Sequence, residues 1–181
     1  MNLKGENEKN MEKVLFNEIQ ISKALENMAK KIDEYIMSLP ELTRNDVIIV
    51  GLLNGCIHFV SDLTRKIKSD HKLAFVRASS YINNKQGNLS ISGDIPDFSN
   101  SHVIILDDIC DTGKTLKRVV EIVNEDNPLS VKTGVLLNKK IPNKEFEVDY
   151  KAFDIDDVFV YGYGLDYDEY KRNLPDIRIL V

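Results

Sequence analysis

The chain has 181 residues, of which 43% are hydrophobic and 29% charged, a balance that excludes wholesale disorder or a collagen-like repeat and suits one well-buried core rather than two. Its net charge of −5 comes with no local pile-up of lysine and arginine, which excludes the counterion-releasing face of a nucleic-acid binder. The start, MNLKGENEKNMEK, lacks the apolar core of a signal peptide and no apolar run is long enough to span a bilayer, so neither membrane nor nucleic acid is an expected partner and the cytoplasm is the expected compartment. Cys56 and Cys110 belong to no CxxC or Cys/His pattern and read as buried, reduced thiols, while His58, His71 and His102 form no cluster at metal-ligand spacing.

From Asn17 onward Ile21, Leu25, Met28, Ile32, Tyr35 or Ile36, and Leu39 recur every three or four residues. That period predicts an amphipathic helix, with Asn17 and Gln20 spaced as a capping pair and Pro40 closing it. The run VIIVGLL at 47–53 suits a strand buried on both faces, and Asn54 and Gly55 turn it into a helix carrying Cys56, Phe59 or Val60, Leu63 and Ile67 on one side. Further strands are predicted at 73–80, 102–108, 131–138 and 150–155, and a helix at 113–125 with Leu116, Val119 or Val120, and Val123 inward. This alternation implies a single α/β domain over residues 1–181, built on a Rossmann-like sheet of five parallel strands with helices on both faces. Between residues 81 and 100 the chain is polar, with Gly87, Gly93 and Pro96. Composition leaves two readings open there, a mobile flap over a site or a surface excursion such as a short hairpin.

The chemistry concentrates at residues 103–116, VIILDDICDTGKTL. Four apolar residues end in Asp107 and Asp108, which puts two carboxylates at the C-terminal edge of a strand, where open parallel sheets bind ligands. Asp111, Thr112, Gly113, Lys114 and Thr115 follow with a glycine-relieved turn, two hydroxyls and successive N–H groups opening a helix, a nest that fits one phosphate. Taken singly, each half reads more simply as solvated loop acids or as helix capping. The GxxxxGK[ST] and GxGxxG spacings are absent, so neither an ATPase nor a dehydrogenase is indicated, and the paired acids suit sugar hydroxyls and a bound magnesium ion.

In this segment the chain resembles the type I phosphoribosyltransferases, whose signature for 5-phosphoribosyl-1-pyrophosphate (PRPP) is a hydrophobic strand, two acids, two residues, then D-T/S-G-x-T. More narrowly it is similar to the hypoxanthine-guanine phosphoribosyltransferases, with VGLLNGCIHFVSDL, ASSY, DDICDTGKTL, LLNK and FVYGYGLDYDEYKRNL in the family's order. The resemblance implies the type I fold, with a parallel core, a small hood from about 10–16 and 141–181, and a flap at about 80–100 that begins with Ser80 and Tyr81. It implies that Asp107 and Asp108 hold the ribose hydroxyls, directly or through Mg2+, that Asp111 is the general base near purine N7, and that Thr112, Gly113, Lys114 and Thr115 hold the 5′-phosphate. Leu53, Asn54 and Gly55 match the pyrophosphate loop, whose first peptide bond is often cis, and Arg172 matches an arginine that meets pyrophosphate. Lys139 matches the lysine that bonds the purine 6-oxo group, Phe159 the aromatic that stacks on the base, Val160 a backbone contact to the base edge, and Asp166 a base-side ligand of a second magnesium.

The chain departs from the family's pattern at four positions: Asp107 stands for glutamate, Asn54 for the loop lysine, Ile82 for the glycine after Ser-Tyr, and Val158 for the lysine before the stacking aromatic. The expected activity is transfer of phosphoribosyl from PRPP to hypoxanthine or guanine, releasing pyrophosphate and forming IMP or GMP, by a homodimer or homotetramer. Two rivals stand beside it. One is a non-catalytic PRPP-binding regulator, against which the chain has no added helix-turn-helix segment and no basic face; the other is a transferase for xanthine or another base.

Overall fold

A computed structural model describes residues 11–81 and 88–181. The apolar runs become a six-stranded sheet from β2 (Val47–Leu53), β3 (Lys72–Tyr81), β4 (Asn88–Gly93), β5 (His102–Cys110), β6 (Ser130–Lys139) and β7 (Tyr150–Ile155), in the order β4-β3-β2-β5-β6-β7. β3, β2, β5, β6 and β7 are parallel, and only β4 runs antiparallel, against β3.

Side-chain alternation along the central strands sorts the core into two layers. Val47 and Ile49 of β2 and Ile104 and Leu106 of β5 face α1 (Glu18–Ser38) and α2 (Ile57–Thr64), joining Leu25, Ile32, Phe59 and Leu63. Their neighbours Ile48, Val50, Val103 and Ile105 face α3 (Lys114–Asn124), joining Leu116, Val119 and Val123. Burial on both faces is why these strands are unbroken apolar runs. α1 starts where the capping pair was expected: Gln20 N–H donates to Asn17 Oδ1 and Asn17 N–H to Gln20 Oε1, both at 2.9 Å. Among the described residues no helix is long and apolar enough to cross a membrane.

The two chain ends meet in a second sheet of order β1-β9-β8, from β1 (Glu12–Phe16), β8 (Val160–Tyr161) and β9 (Ile177–Leu180). Arg178 ties it together, donating to Glu12 at 3.0 Å and to Asp176 at 2.8 Å. Two expected boundaries are corrected. The hood range 141–181 includes β7, which belongs to the large sheet because its residues pair with β6 from Gly134 to Lys139. The flap range 80–100 ends in Phe98, which is 1% exposed and packs in the α3-side core, so its far end is anchored by burial. Nearer the tip, β4 pairs with β3 from Val76↔Gly93 to Tyr81↔Asn88; the remaining flap residues, 82–87 with Ile82 and Gly87, lie outside the described residues.

Because the Asn17 side chain accepts from the otherwise unpaired Gln20 N–H, Asn17→Ala costs about 1 kcal/mol, a fall in Tm of roughly 2–4 °C for a chain of this size, whereas Asn17→Gly costs only about a few tenths of a kcal/mol. Thermal unfolding of the two variants measures this, and equal losses would remove the capping box as the cause.

Candidate active site

β5 delivers the acids. Its apolar half is fully buried and its last residues emerge at the sheet's C-terminal edge, so Asp107 and Asp108 stand half-buried above the core. Asp108 N–H donates to Asp107 Oδ1 at 3.0 Å and Ile109 N–H to Asp108 Oδ1 at 2.9 Å. Burial, and then the neighbouring Asp108 charge, pushes the Asp107 carboxyl well above the usual range. Asp108 is also raised, chiefly by burial, with the hydrogen bonds it accepts and the Arg172 charge working the other way. Among the described residues no lysine, arginine or histidine nitrogen comes within 4.0 Å of either acid.

The turn after β5 is shaped by Gly113, which has φ +84 and whose Cβ would stand 2.8 Å from the Phe146 side chain and 3.0 Å from its backbone. Only glycine fits both the left-handed conformation and the space. α3 then opens with N–H groups that have no intrahelical partner. They face a cleft of about 280 Å³ lined by residues 107–116, including Asp111, Thr112 and Thr115. The Lys114 ammonium turns to Glu145 at 3.4 Å, so its part in an anion nest falls to its backbone.

Two other loops close on the acids. The 53–55 loop follows β2, its Leu53-Asn54 peptide is cis, and a Cβ on Gly55 would stand 1.6 Å from Asp108 Oδ2. Gly164, at φ +104, lies against that loop from the hood side, where its own Cβ would be 2.1 Å from Gly55 O. Arg172 clamps this second loop, donating to Gly164 O at 2.8 Å and pairing with Asp166 at 3.0 Å. Asn54 in turn accepts a hydrogen bond from Arg77 Nη2 of β3 at 3.2 Å.

On the other side of the phosphate turn stands Lys139, the last residue of β6. Its side chain is 13% exposed; Nζ donates to Asp157 Oδ1 at 2.8 Å and lies 3.8 Å from Asp111 Oδ2. Lys144 fixes the same strand end, donating to Asn138 Oδ1, to Lys139 O at 3.1 Å and to Cys110 O at 3.4 Å. Phe159, two residues beyond Asp157, is 56% exposed and packs edge-on to Tyr167 with 5.6 Å between centroids, while Val160 is buried in β8. Ser80 and Tyr81 end β3, where their backbones pair with Leu89 and Asn88.

Sequence reading missed Asp157 and Lys144. Both lie in polar stretches without period, and both act on groups distant in the chain. A larger groove, of about 740 Å³ between α1, α2 and residues 163–175, is lined by none of the acids or the phosphate turn. Among the described residues no three His, Cys, Asp or Glu side chains converge as a metal site.

Comparison with known proteins bears on this arrangement. The phosphoribosyl transferase domain family matches residues 17–168. The hypoxanthine-guanine phosphoribosyltransferase of Aquifex aeolicus is 35% identical over 173 residues, covering 93% of this chain and 94% of that one. A crystal structure of a hypoxanthine phosphoribosyltransferase from Staphylococcus aureus superposes with a TM-score of 0.83 at 31% identity, covering 95% of this chain and 92% of that one. The Trypanosoma cruzi hypoxanthine phosphoribosyltransferase in complex with the product IMP gives 0.83 at 32% identity over 96% of each chain. A family match across most of the chain, relatives above 30% identity along nearly their whole length and a shared fold agree with the acid pair, phosphate turn and glycine loop described above, and the chain belongs to the phosphoribosyltransferase family.

Proposed function

We propose that this chain transfers the 5-phosphoribosyl group of PRPP to a 6-oxopurine, hypoxanthine or guanine, releasing pyrophosphate and forming IMP or GMP in purine salvage. The observation that carries this reading is the meeting of three segments: the acids and phosphate turn of residues 107–115, the 53–55 loop against Asp108, and Lys139 within 3.8 Å of Asp111. Together they offer an anion nest, a pair of sugar-hydroxyl acceptors, a proton acceptor and a cationic hydrogen-bond donor. We place the enzyme in the cytoplasm, on its free buried Cys56 and Cys110, and propose a homodimer or homotetramer.

The 5′-phosphate sits on the N–H groups and hydroxyls of Thr112, Gly113, Lys114 and Thr115 at the start of α3. Asp107 and Asp108 accept from the ribose hydroxyls. The backbone of Leu53, Asn54 and Gly55, with Arg172, receives the pyrophosphate. Phe159 stacks on the purine and the Val160 backbone meets its edge. As the anomeric carbon–oxygen bond breaks, the electron pair leaves with pyrophosphate, a purine nitrogen bonds the anomeric carbon, and the ring proton passes to Asp111. Lys139 donates to the 6-oxo oxygen, which gains electron density as the base loses its proton.

The acid pair fits magnesium: two hard oxygen donors are held together by burial with no cationic nitrogen of the described residues within 4.0 Å, leaving room for substrate oxygens and water. Asp107 and Asp108 would hold one ion, and Asp166 a second by exchanging the Arg172 guanidinium for it. When bound with PRPP, magnesium neutralises charge that builds on the leaving pyrophosphate.

Three outcomes follow. In a turnover panel with PRPP and magnesium, hypoxanthine and guanine react and adenine is poor, because Lys139 has donors only and cannot satisfy a 6-amino group. Lys139→Ala narrows the ratio of the kcat/KM values; adenine reacting as fast as hypoxanthine would refute the assignment. Asp111→Asn slows turnover by roughly 10²–10⁴-fold while PRPP binding persists, as single-turnover and binding assays can separate. A near-normal rate would remove it as the base.

The acid pair also sets a pH dependence. A carboxyl raised on folding keeps a proton that the unfolded chain releases, so its contribution to stability falls as pH rises from the ordinary range, 3.8, through the raised value. Asp107→Asn therefore raises the Tm of the metal-free chain at about pH 8 and has less effect at about pH 5, each kcal/mol amounting to roughly 2–4 °C. Added magnesium raises the wild-type Tm more at the higher pH, since its ligands must be deprotonated. Calorimetric scans at both pH values, with magnesium and with chelator, measure this, and a pH-independent difference would place the strain elsewhere.

A further inference from the structure

We infer that Arg77 is a pyrophosphate-binding residue of this site, supplying from the neighbouring strand the positive charge that the 53–55 loop itself lacks. The inference deepens the reading of that loop as the pyrophosphate site, and rests on it.

The loop offers N–H groups, but Leu53, Asn54 and Gly55 carry no charge. A pyrophosphate brought next to Asp108, which a Gly55 side chain would overlap, faces carboxylate repulsion that backbone dipoles offset only in part. Arg77 is anchored beside it. Its Cα pairs with Leu53 in the β2–β3 ladder, at the same C-terminal edge of the sheet as the acids, and its Nη2 donates to Asn54 Oδ1 at 3.2 Å. That bond uses one of the five guanidinium N–H groups and steers the fork to the mouth of the loop. The other β3 cation at a ladder position, Lys72, pairs with Ile48 at the opposite end of the strand and cannot serve.

Arg172, the other arginine near the loop, is held by Asp166 at 3.0 Å, Gly164 O at 2.8 Å and Glu169 at 3.8 Å, and turns to pyrophosphate only when a metal takes its place on Asp166. Arg77, by contrast, has no carboxylate within 4.0 Å among the described residues, and its side chain is exposed. It therefore brings an uncompensated charge and open donors, already aimed by Asn54, to the place where the leaving group departs. Asn54 orients the cation and leaves the loop backbone free.

The test is binding of inorganic pyrophosphate with magnesium to the full chain, by calorimetry, alongside the KM values for PRPP and hypoxanthine. Arg77→Ala weakens pyrophosphate and raises the PRPP KM roughly tenfold or more, the range of a charge-assisted contact, with the hypoxanthine KM and the Tm unchanged. Arg77→Lys keeps the charge but loses the fork held by Asn54, and falls between. Adding Asn54→Lys to Arg77→Ala returns charge to the loop and recovers most of the loss. Pyrophosphate affinity of Arg77→Ala within about twofold of wild type overturns the inference, as does a loss shared equally by hypoxanthine or by Tm, or one that Asn54→Lys leaves untouched, since Arg77 would then only brace the loop. Because pyrophosphate binding needs no turnover, failure of the wild type to act on any purine would count against the proposed reaction and leave this result readable.

Discussion

Two carboxylates that burial holds side by side are the constraint from which the site follows. Asp107 and Asp108 end a strand whose apolar half is sealed between helices on both faces, so they cannot move apart without unpicking the core. Both resist ionisation there, and among the described residues no cationic nitrogen comes within 4.0 Å of them, Arg172 acting on Asp108 only from farther away. Such a pair is an unfavourable element of an empty fold, and it becomes favourable with a partner that carries positive charge or hydroxyl donors. The other elements are arranged to admit such a partner: a glycine loop that leaves Asp108 uncovered, a helix whose first N–H groups point at a cleft, and a lysine held near the mouth.

Lys139 illustrates how charge is divided in the site. It lies nearer to Asp157 than to Asp111, 2.8 Å against 3.8 Å. Sharing the ammonium with a second acid on the next loop holds Lys139 at the mouth of the cleft without committing it to either carboxylate. The arrangement also explains why the lysine tolerates 13% exposure, since a buried ammonium needs a partner in every state of the cycle.

Much of the site was legible because its local chemistry is sequential. VIILDDICDTGKTL encodes strand, acids, turn and helix within 14 positions, 103–116, and each step is dictated by neighbours in the chain. The central strands and the Asn17 cap were legible for the same reason. β8 and β9 were not, since two to four residues carry too little period and their pairing depends on distant segments, as when Ile179 meets both Lys13 and Val160, while β4, antiparallel to β3, matches the short hairpin that was one of the readings left open. Phe98 looked like part of a polar excursion and proved to be core, because one aromatic among Asp97, Ser99 and Asn100 gives no pattern. Asp157 and Arg77 escaped for a geometric reason: each acts on a residue that its own stretch of sequence does not mention.

The contact between Gly55 and Gly164 has a consequence for how the sequence can vary. A side chain at Gly55 would displace the Asp108 carboxylate, and one at Gly164 would enter the Gly55 carbonyl, so Gly164 is closed to every other residue while the present backbone holds, and Gly55 is closed while Asp108 keeps its place. Asn54, adjacent to Gly55, is exposed and points at Arg77. Position 55 is thus set by the acid beside it, whereas position 54 meets Arg77 through its side chain, and substitutions at 54 and 77 can compensate one another while the backbone between them stays as it is.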